Sequence, residues 1–168
     1  GATAAAVGVY DGKNTVILPN PSRDALASVA GILAKADRVI THDLKHLLHQ
    51  LSWSPVSRLP STNFDTTIAS YLLASGSRAH DLSGAMHGFL GRSVEVPATF
   101  AKEKDYERFG QVVAALPELA QRMEKELEKA GSTKVFGEIE MPLIPILYHM
   151  EVEGIELDTK SLEVFSAS

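Results

Sequence analysis

Hydrophobic and polar positions along the 168-residue chain predict a small sheet near the N-terminus, followed mainly by helices. Apolar runs at 4–10 and 15–18 flank Asp11-Gly12, a dipeptide typical of hairpin turns. A third, short strand is predicted at 38–41. Two strands, a helix, a strand and then mostly helices indicate an α/β domain with a small sheet.

Apolar residues recurring every three or four positions predict the helices. Helix caps and stops are expected at Ser22, Asp43, Asp65, Asp81 and Gly91. The first helix carries Leu26, Val29, Ile32 and Leu33, and the helix after Asp65 carries Ile68, Tyr71 and Leu72. A charged helix at 102–130 carries Val112, Leu116, Leu119, Met123 and Leu127, and Pro117 is expected to break or kink it. The last helix, at 135–153, is expected to present one apolar face of Phe136, Ile139, Leu143, Ile146, Leu147 and Met150 before a Schellman-type stop at 154–155.

Composition narrows the classes of function. With 45% hydrophobic and 22% charged residues the chain has an ordinary globular composition, and no apolar stretch is long enough to predict a membrane span. The absence of cysteine excludes disulfides and thiolate metal sites, and it suits a reducing cytoplasm. A net charge of −5 provides no basic face, so we expect the fragment alone to bind DNA weakly or not at all.

The segment 135–158 carries the most specific motif. It contains Glu-Met-Pro-Leu at 140–143 and Met-Glu-Val-Glu-Gly-Ile-Glu-Leu-Asp at 150–158. This pattern resembles the helix that joins the exonuclease and polymerase domains of family A (bacterial DNA polymerase I type) DNA polymerases. The segments 64–73, 78–83 and 39–48 resemble further parts of the same exonuclease domain, in the same order.

The resemblance implies a ribonuclease H-like 3′-5′ exonuclease fold, a small mixed sheet flanked by helices. Residues 1–134 would form the exonuclease-like domain, and 135–168 the connecting helix and the start of the polymerase module. The chain would then be a fragment of a DNA-directed DNA polymerase that serves replication and repair in the cytoplasm, associated with the bacterial nucleoid. Its partners would be the polymerase module of the same polypeptide and, through that module, DNA, with no membrane.

Active members of this family hold two divalent metal ions with four carboxylates, since hard cations prefer oxygen ligands. The resemblance places the first acidic pair upstream of Gly1. At the second motif, Asp43 takes the asparagine position, and Leu47 takes the position of a metal-binding aspartate. Moving the register by one residue puts His46 there instead, which is also not a carboxylate.

The third motif pairs a tyrosine with an aspartate four residues later. Tyr106 is followed at that spacing by Gly110, and the other register gives Glu107 and Gln111. Both registers lose the acid. The sequence therefore predicts no catalytic residue, no metal and no cofactor in this domain, with Mg²⁺ expected in the parent polymerase module, and a supporting role for the domain.

Two alternatives remain open. An active two-metal exonuclease with a trimmed first motif could draw its acids from Asp37, Asp43 or Asp105. A zinc hydrolase could use His42, His46 and His49, because two histidines four residues apart are typical of a helical zinc site. Against the zinc site, Asp43 resembles an N-cap that would leave His42 outside the helix.

Other polar residues have simpler interpretations. Asp65 and Asp81 are expected to cap helices rather than bind metal. Arg78 and Arg92 could reach DNA phosphates but are expected to be solvated cations. Trp53 is expected to anchor a connecting loop.

Overall fold

The computed structural model describes residues 5–51, 60, 62–74, 76, 80–97 and 99–154. The predictions for Trp53, Arg78 and the segment 155–168 lie outside these residues. Within them the elements follow in the order β1 (Ala6–Tyr10), β2 (Thr15–Pro19), α1 (Arg23–Leu33), β3 (Ile40–Thr41), α2 (Leu44–Leu51), β4 (Phe64–Asp65), α3 (Thr66–Leu73), α4 (Leu82–Leu90), α5 (Glu103–Lys129), a π-helical segment (Val135–Glu140) and α6 (Met141–Glu153).

The predicted hairpin is present. Strands β1 and β2 pair antiparallel, with Val7 opposite Leu18. One carboxylate oxygen of Asp11 accepts hydrogen bonds from the backbone N–H groups of Lys13 and Asn14, both at 2.8 Å. Gly12 takes a φ of +97°, a region that favours glycine, so this dipeptide makes the turn.

The second sheet differs from the prediction in two ways. One strand is shorter than predicted, and the other was not predicted as a strand. Strand β3 covers two residues rather than 38–41, and it pairs in parallel with β4. Phe64 and Asp65, expected to open a helix, form β4 before α3 begins. Because α3 starts directly after Asp65, β4 offers only two residues for pairing, and this limits β3 as well.

The long helix α5 packs against both sheets and contacts β1, β2 and β3. It runs without interruption through Pro117, so the expected break is absent. Proline has no N–H to donate to the carbonyl of Val113, four residues earlier, yet the helix continues. The predicted apolar stripe is largely confirmed, with Leu116 half-buried and the remainder buried: Val112, Leu119, Met123 and Leu127.

The buried residues form two apolar clusters. The first joins α5 to α3, α4 and the π-helical segment through Phe64, Ala69, Met86, Met123 and Phe136. The second joins α1, α2 and α6 through Leu26, Val29, Leu44, Leu48, Ile144 and Tyr148. The helix following α5 therefore contributes to both cores.

The predicted apolar face of the last helix lies largely on the outside of the described domain. Only Phe136 of that set is buried, whereas Ile139, Ile146 and Met150 are each more than half exposed. Ile144 and Tyr148 are buried instead. The π-helical segment offers one physical reason, because its wider turn rotates the following residues away from a regular 3.6-residue spacing. Leu143 and Leu147 are also partly exposed, at 39% and 37%.

Two further apolar residues depart from their predicted faces. Ile32 is 59% exposed, although Leu26 and Val29 of the same helix are buried. Tyr71 is 54% exposed and meets the ring of His80 edge-on at 5.7 Å. Helical spacing alone therefore overestimated how much of α1 and α3 is covered.

The expected caps are present. Ser22 Oγ accepts from the N–H of Ala25 at 3.2 Å. Asp81 Oδ1 accepts from the N–H of Gly84 at 2.7 Å, and Gly91 ends α4 in the left-handed conformation. Gly154 ends α6 with a φ of +73° but an extended ψ of −176°, which is not the conformation of the predicted Schellman stop.

Candidate functional site

The position of the second exonuclease motif borders a cavity of about 490 Å³. The cavity lies between β1, β3, α1 and α5, and Leu47 from α2 forms part of its wall. Its other walls are largely apolar, including Val9, Val29, Ile40 and Val113. At the place where the resemblance expects a metal-binding aspartate, the structure therefore has an aliphatic side chain in apolar surroundings.

Asp43, at the other matched position of this motif, is an exposed helix cap as predicted. Its Oδ1 accepts from the N–H of His46 at 2.9 Å, and its φ of +61° is in the left-handed region that aspartate tolerates. Its own N–H donates to Thr67 Oγ1 at 3.0 Å. Asp43 therefore turns the chain from β3 into α2.

Asp65 has a larger structural role than the sequence indicated. The carboxylate is only 2% exposed, and its Oδ1 accepts from the N–H of Thr67 at 2.7 Å, which caps α3 as predicted. Its Oδ2 also accepts from the N–H of Leu44 at 2.7 Å, and Oδ1 lies 3.3 Å from the N–H of Asp43. One buried carboxylate thus closes the N-termini of α2 and α3, which places negative charge where both helix dipoles favour it.

The contact between α2 and α3 was missed because its two partners are far apart in sequence. Only the parallel pairing of β3 with β4 brings Leu44 to Asp65. The sequence does contain one signal, since an aspartate directly precedes each of the two helices. We call the hydrogen-bonded group of Asp43, Leu44, Asp65 and Thr67 the Asp65 junction.

His42 lies beside this junction. Its Nδ1 is 2.9 Å from Thr66 Oγ1, and the Thr66 hydroxyl donates to the carbonyl of Thr41 at 3.1 Å. Because that hydroxyl has one hydrogen, the network assigns the Nδ1–H of His42 as the donor to Thr66. Burial lowers the pKa of His42 below its ordinary value, against the opposing influence of the carboxylates of Asp65, Asp43 and Asp81.

The three histidines of the zinc hypothesis have different partners. Helix α2 begins at Leu44, so His42 precedes it, as the cap at Asp43 predicted. His46 Nε2 lies 3.4 Å from the side-chain nitrogen of Gln50. His49 Nε2 lies 2.8 Å from Glu151 of α6, a contact that, after the stronger one from Lys45, lowers the pKa of Glu151. In the described parts of the chain, no three histidine, aspartate or glutamate side chains are grouped as a metal site would require.

The third motif lies on the first turns of α5. Tyr106 donates its hydroxyl hydrogen to the carbonyl of Phe100 at 3.1 Å. Gly110 faces β2, where an added Cβ would lie 3.6 Å from Thr15 Cγ2. Glu107 and Gln111, the pair from the other register, are both exposed. None of these four positions borders the cavity at Leu47.

The acids of the active-exonuclease hypothesis have separate locations too. Asp105 Oδ2 accepts from the N–H of Lys102 at 2.9 Å and caps α5, and Asp43 caps α2. Asp37 borders a different cavity, beside α5 and the π-helical segment. Of the residues that the structure describes, Asp11 is the one acid in the wall of the cavity at Leu47, and its Oδ1 serves the hairpin turn. This donor set does not fit two divalent cations, which need several converging oxygens.

Arg92, a candidate for phosphate contact, pairs instead with a glutamate. Its two terminal nitrogens lie 2.8 and 3.0 Å from the carboxylate oxygens of Glu118 on α5. The side chains are half exposed. This bidentate pair joins the end of α4 to α5.

The fold resembles solved nucleases. Brucella melitensis NrnC bound to pGG matches with a TM-score of 0.70 and 22% identity, over 90% of this chain and 78% of that one. A structure described as the apo form of the nuclease matches with a TM-score of 0.69 and 15% identity, over 90% of this chain and 77% of that one. The expected fold is confirmed: the chain is an α/β domain of the ribonuclease H-like nuclease type.

Sequence comparison gives the particular family. DNA polymerase I of Caldicellulosiruptor bescii is 30% identical over 131 residues, which covers 77% of this chain, and DNA polymerase I of Mycobacterium leprae is 29% identical over 96% of it. The chain is a 3′-5′ exonuclease-like domain of the DNA polymerase I type. It spans only 14% and 19% of the length of these two relatives.

Two further comparisons complete this description. No protein-family model matches the chain. Across the described residues, no helix combines the length and apolar character needed to cross a membrane.

Proposed function

We propose that this domain is a non-catalytic exonuclease-like domain that supports the polymerase module of a DNA-directed DNA polymerase. The observation that carries the proposal is the position of Leu47. It stands at the position that the resemblance assigns to a metal-binding aspartate, and it lies in the wall of a largely apolar cavity. A leucine cannot bind a cation, and the carboxylates of Asp11, Asp43 and Asp105 hold the hairpin turn and the starts of α2 and α5.

The supporting role rests on the outer face of the last helix. Ile146 and Met150 are 54% and 59% exposed, and Leu143 and Leu147 of α6 and Ile139 of the preceding π-helical segment extend this surface. We call these five residues the outer α6 face. The inner face of α6 is buried in this domain through Ile144 and Tyr148. The helix would therefore connect this domain to the polymerase module and hold the two in a fixed relative position. In this proposal residues 1–134 form the supporting domain, and 135–168 lead into the polymerase module that covers the outer α6 face.

The acidic net charge of the domain bears on how the protein would bind DNA. With 21 acidic and 16 basic residues, the domain would contribute little attraction to DNA, which the polymerase module would bind. The Mg²⁺ for nucleotide transfer would be held by that module as well. We place the protein in the bacterial cytoplasm with the nucleoid.

Activity is tested with the full-length parent protein on a single-stranded oligonucleotide labelled at its 5′ end. We expect no shortening from the 3′ end in Mg²⁺ or Mn²⁺ beyond that of a protein-free control, because the metal-binding acids are missing. The Leu47→Asp variant should behave in the same way, since one acid does not rebuild the set. Metal-dependent shortening by the unmodified protein, lost on adding chelator, would contradict the proposal.

Support is tested by placing a charge on the outer α6 face. Ile146→Glu should leave the unfolding temperature of the isolated chain nearly unchanged, because the residue is exposed there. In the full-length parent the same change should lower that temperature and reduce DNA synthesis. Val16→Glu on β2, at a residue 53% exposed, is the matched control and should alter neither. Equal behaviour of the two variants in the parent would refute docking through this face.

A further inference from the structure

The last turn of α6 lies beyond the apolar contacts that anchor this helix. Ile144 and Tyr148 are its buried residues among those that the structure describes, and the five residues at 149–153 are all exposed. Two of the five, Met150 and Val152, are apolar and are 59% and 58% exposed. The hydrophobic effect therefore holds α6 on the domain as far as Tyr148, and the last turn depends on another kind of contact.

That contact is polar and centres on Glu151. Its Oε1 accepts a hydrogen bond from Lys45 Nζ at 2.6 Å, and its Oε2 lies 2.8 Å from His49 Nε2. Lys45 and His49 are four residues apart on α2, so one side of that helix presents both nitrogens to α6. We call these three residues the Glu151 clamp. Each carboxylate oxygen has its own partner, so the carboxylate cannot turn without losing one of them.

The two partners of Glu151 are held in place by their own surroundings. Leu48, which lies between Lys45 and His49 in the sequence, is fully buried and anchors α2. The ring of His49 meets the ring of Tyr148 edge-on, with the ring centres 4.8 Å apart, which orients the imidazole towards α6. The clamp thus connects an anchored helix to the exposed last turn of α6.

The clamp favours the ionised form of Glu151. The hydrogen bond from Lys45, and after it the one from His49, lowers the pKa of Glu151 below its ordinary value of 4.5. Because Nε2 of His49 faces a carboxylate, it carries a hydrogen and can donate whether the imidazole is neutral or protonated. All three side chains are at least 35% exposed, so the clamp adds little to the stability of the domain. Its effect is on the direction of the last turn.

We propose that Glu151 is the positioning residue of α6: its ionised carboxylate, held by Lys45 and His49, fixes the last turn of the helix against α2. A neutral amide in its place would leave the buried part of α6 where it is and allow residues 149–153 to move. The clamp is a property of this chain alone. Its importance for docking rests on the proposed supporting function, because Met150 of the outer α6 face lies on this turn.

The experiment measures the direction of the last turn with two spin labels. Since the chain contains no cysteine, the labels can be attached to Ala27→Cys on α1 and Val152→Cys on α6, both exposed positions. Pulsed EPR then gives the distribution of distances between them in the 168-residue protein. We expect Glu151→Gln to broaden this distribution at least twofold. Glu153→Gln, the same change of charge on the same turn, is the matched control and should leave it narrow.

A second measurement follows the carboxyl carbon of Glu151 by NMR as the pH is lowered. The pKa of Glu151 should lie below 4.5 in the unmodified protein and rise towards that value in Lys45→Gln, because its main partner is lost. Lys125→Gln, at an exposed lysine of α5, is the control and should leave this pKa unchanged. A residue that only maintained the helix would not respond in this selective way.

Several results would overturn the proposal. One is an equal width of the distance distribution in the unmodified protein and in Glu151→Gln, and another is equal broadening by Glu153→Gln. A pKa of Glu151 at its ordinary value in the unmodified protein would also refute the clamp.

DNA synthesis by the full-length parent separates this inference from the proposed function. If Glu151→Gln broadens the distribution but neither it nor Ile146→Glu reduces synthesis, the clamp is supported and the supporting function fails. If Ile146→Glu reduces synthesis while Glu151→Gln leaves the distribution unchanged, the clamp fails and the supporting function stands.

Discussion

Two neighbouring regions around α2 differ in how they are held. At its first residue, Leu44 is tied by its N–H to the buried carboxylate of Asp65, within a dense set of hydrogen bonds. One turn later, Leu47 lies in the wall of a cavity. The Asp65 junction fixes where α2 and α3 begin. By contrast, the surrounding structure only loosely constrains which residue can occupy the position of Leu47, which the resemblance assigns to a metal ligand. A fold can therefore keep its geometry while the chemistry of one position changes.

The largest effect is expected for Asp65→Ala. Several N–H groups at the starts of α2 and α3 would lose their acceptor inside the protein, so we expect the free energy of unfolding to fall by about 3–5 kcal/mol. Urea denaturation measures it. Asp81→Ala, which removes an exposed cap from α4, is the matched control and should cost about 1 kcal/mol. Equal losses would show that the Asp65 junction is an ordinary cap.

The next effect separates two adjacent leucines. Leu48 is fully buried and Leu47 half-buried, so truncation should leave a new cavity at Leu48 but only widen an existing one at Leu47. We expect Leu48→Ala to cost about 3 kcal/mol and Leu47→Ala about 1 kcal/mol, measured in the same way. A cost at Leu47 matching that at Leu48 would mean that the cavity is closed in solution.

A smaller effect should appear with pH. Because burial lowers the pKa of His42, the unfolded chain binds a proton there at a higher pH than the folded chain does. The free energy of unfolding should therefore decrease as pH falls from about 7.5 through the unfolded value of about 6.5, until the folded pKa is passed. His42→Asn should remove this part of the pH dependence. The exposed His46→Asn is the control, and a slope reduced equally by both variants would contradict the assignment.

The smallest effect is expected at the surface. Arg92→Ala removes the bidentate pair with Glu118, but both side chains are half exposed. We expect a loss of about 0.5 kcal/mol at low salt and less in 1 M NaCl, because ions screen exposed pairs. A loss above about 2 kcal/mol, insensitive to salt, would place the pair in the core rather than on the surface.

Local signals in the sequence were reliable where neighbours decide the structure. The hairpin at Asp11-Gly12 and the caps at Ser22, Asp43 and Asp81 depend on hydrogen bonds that span two or three residues. The stripe of α5 could also be predicted, because a long amphipathic helix has one apolar side to bury. The candidate site was harder to predict from the sequence. The sequence showed that Leu47 is not a carboxylate, but it did not show that this residue borders a cavity.

The sequence by itself determined the turns, the caps, most of the helices and the lack of a carboxylate at the positions that the resemblance assigns to metal-binding aspartates, because these depend on residue type and short spacing. Only the tertiary structure decided which apolar faces are covered. Ile146 and Met150 have the character of core residues, yet Ile144 and Tyr148 are buried in their place, since burial depends on the neighbours that the fold provides. The double role of Asp65 and the cavity beside Leu47 have the same origin. The first arises where β3 pairs with β4, the second where β1, β3, α1 and α5 surround a cavity, and no local pattern encodes either arrangement.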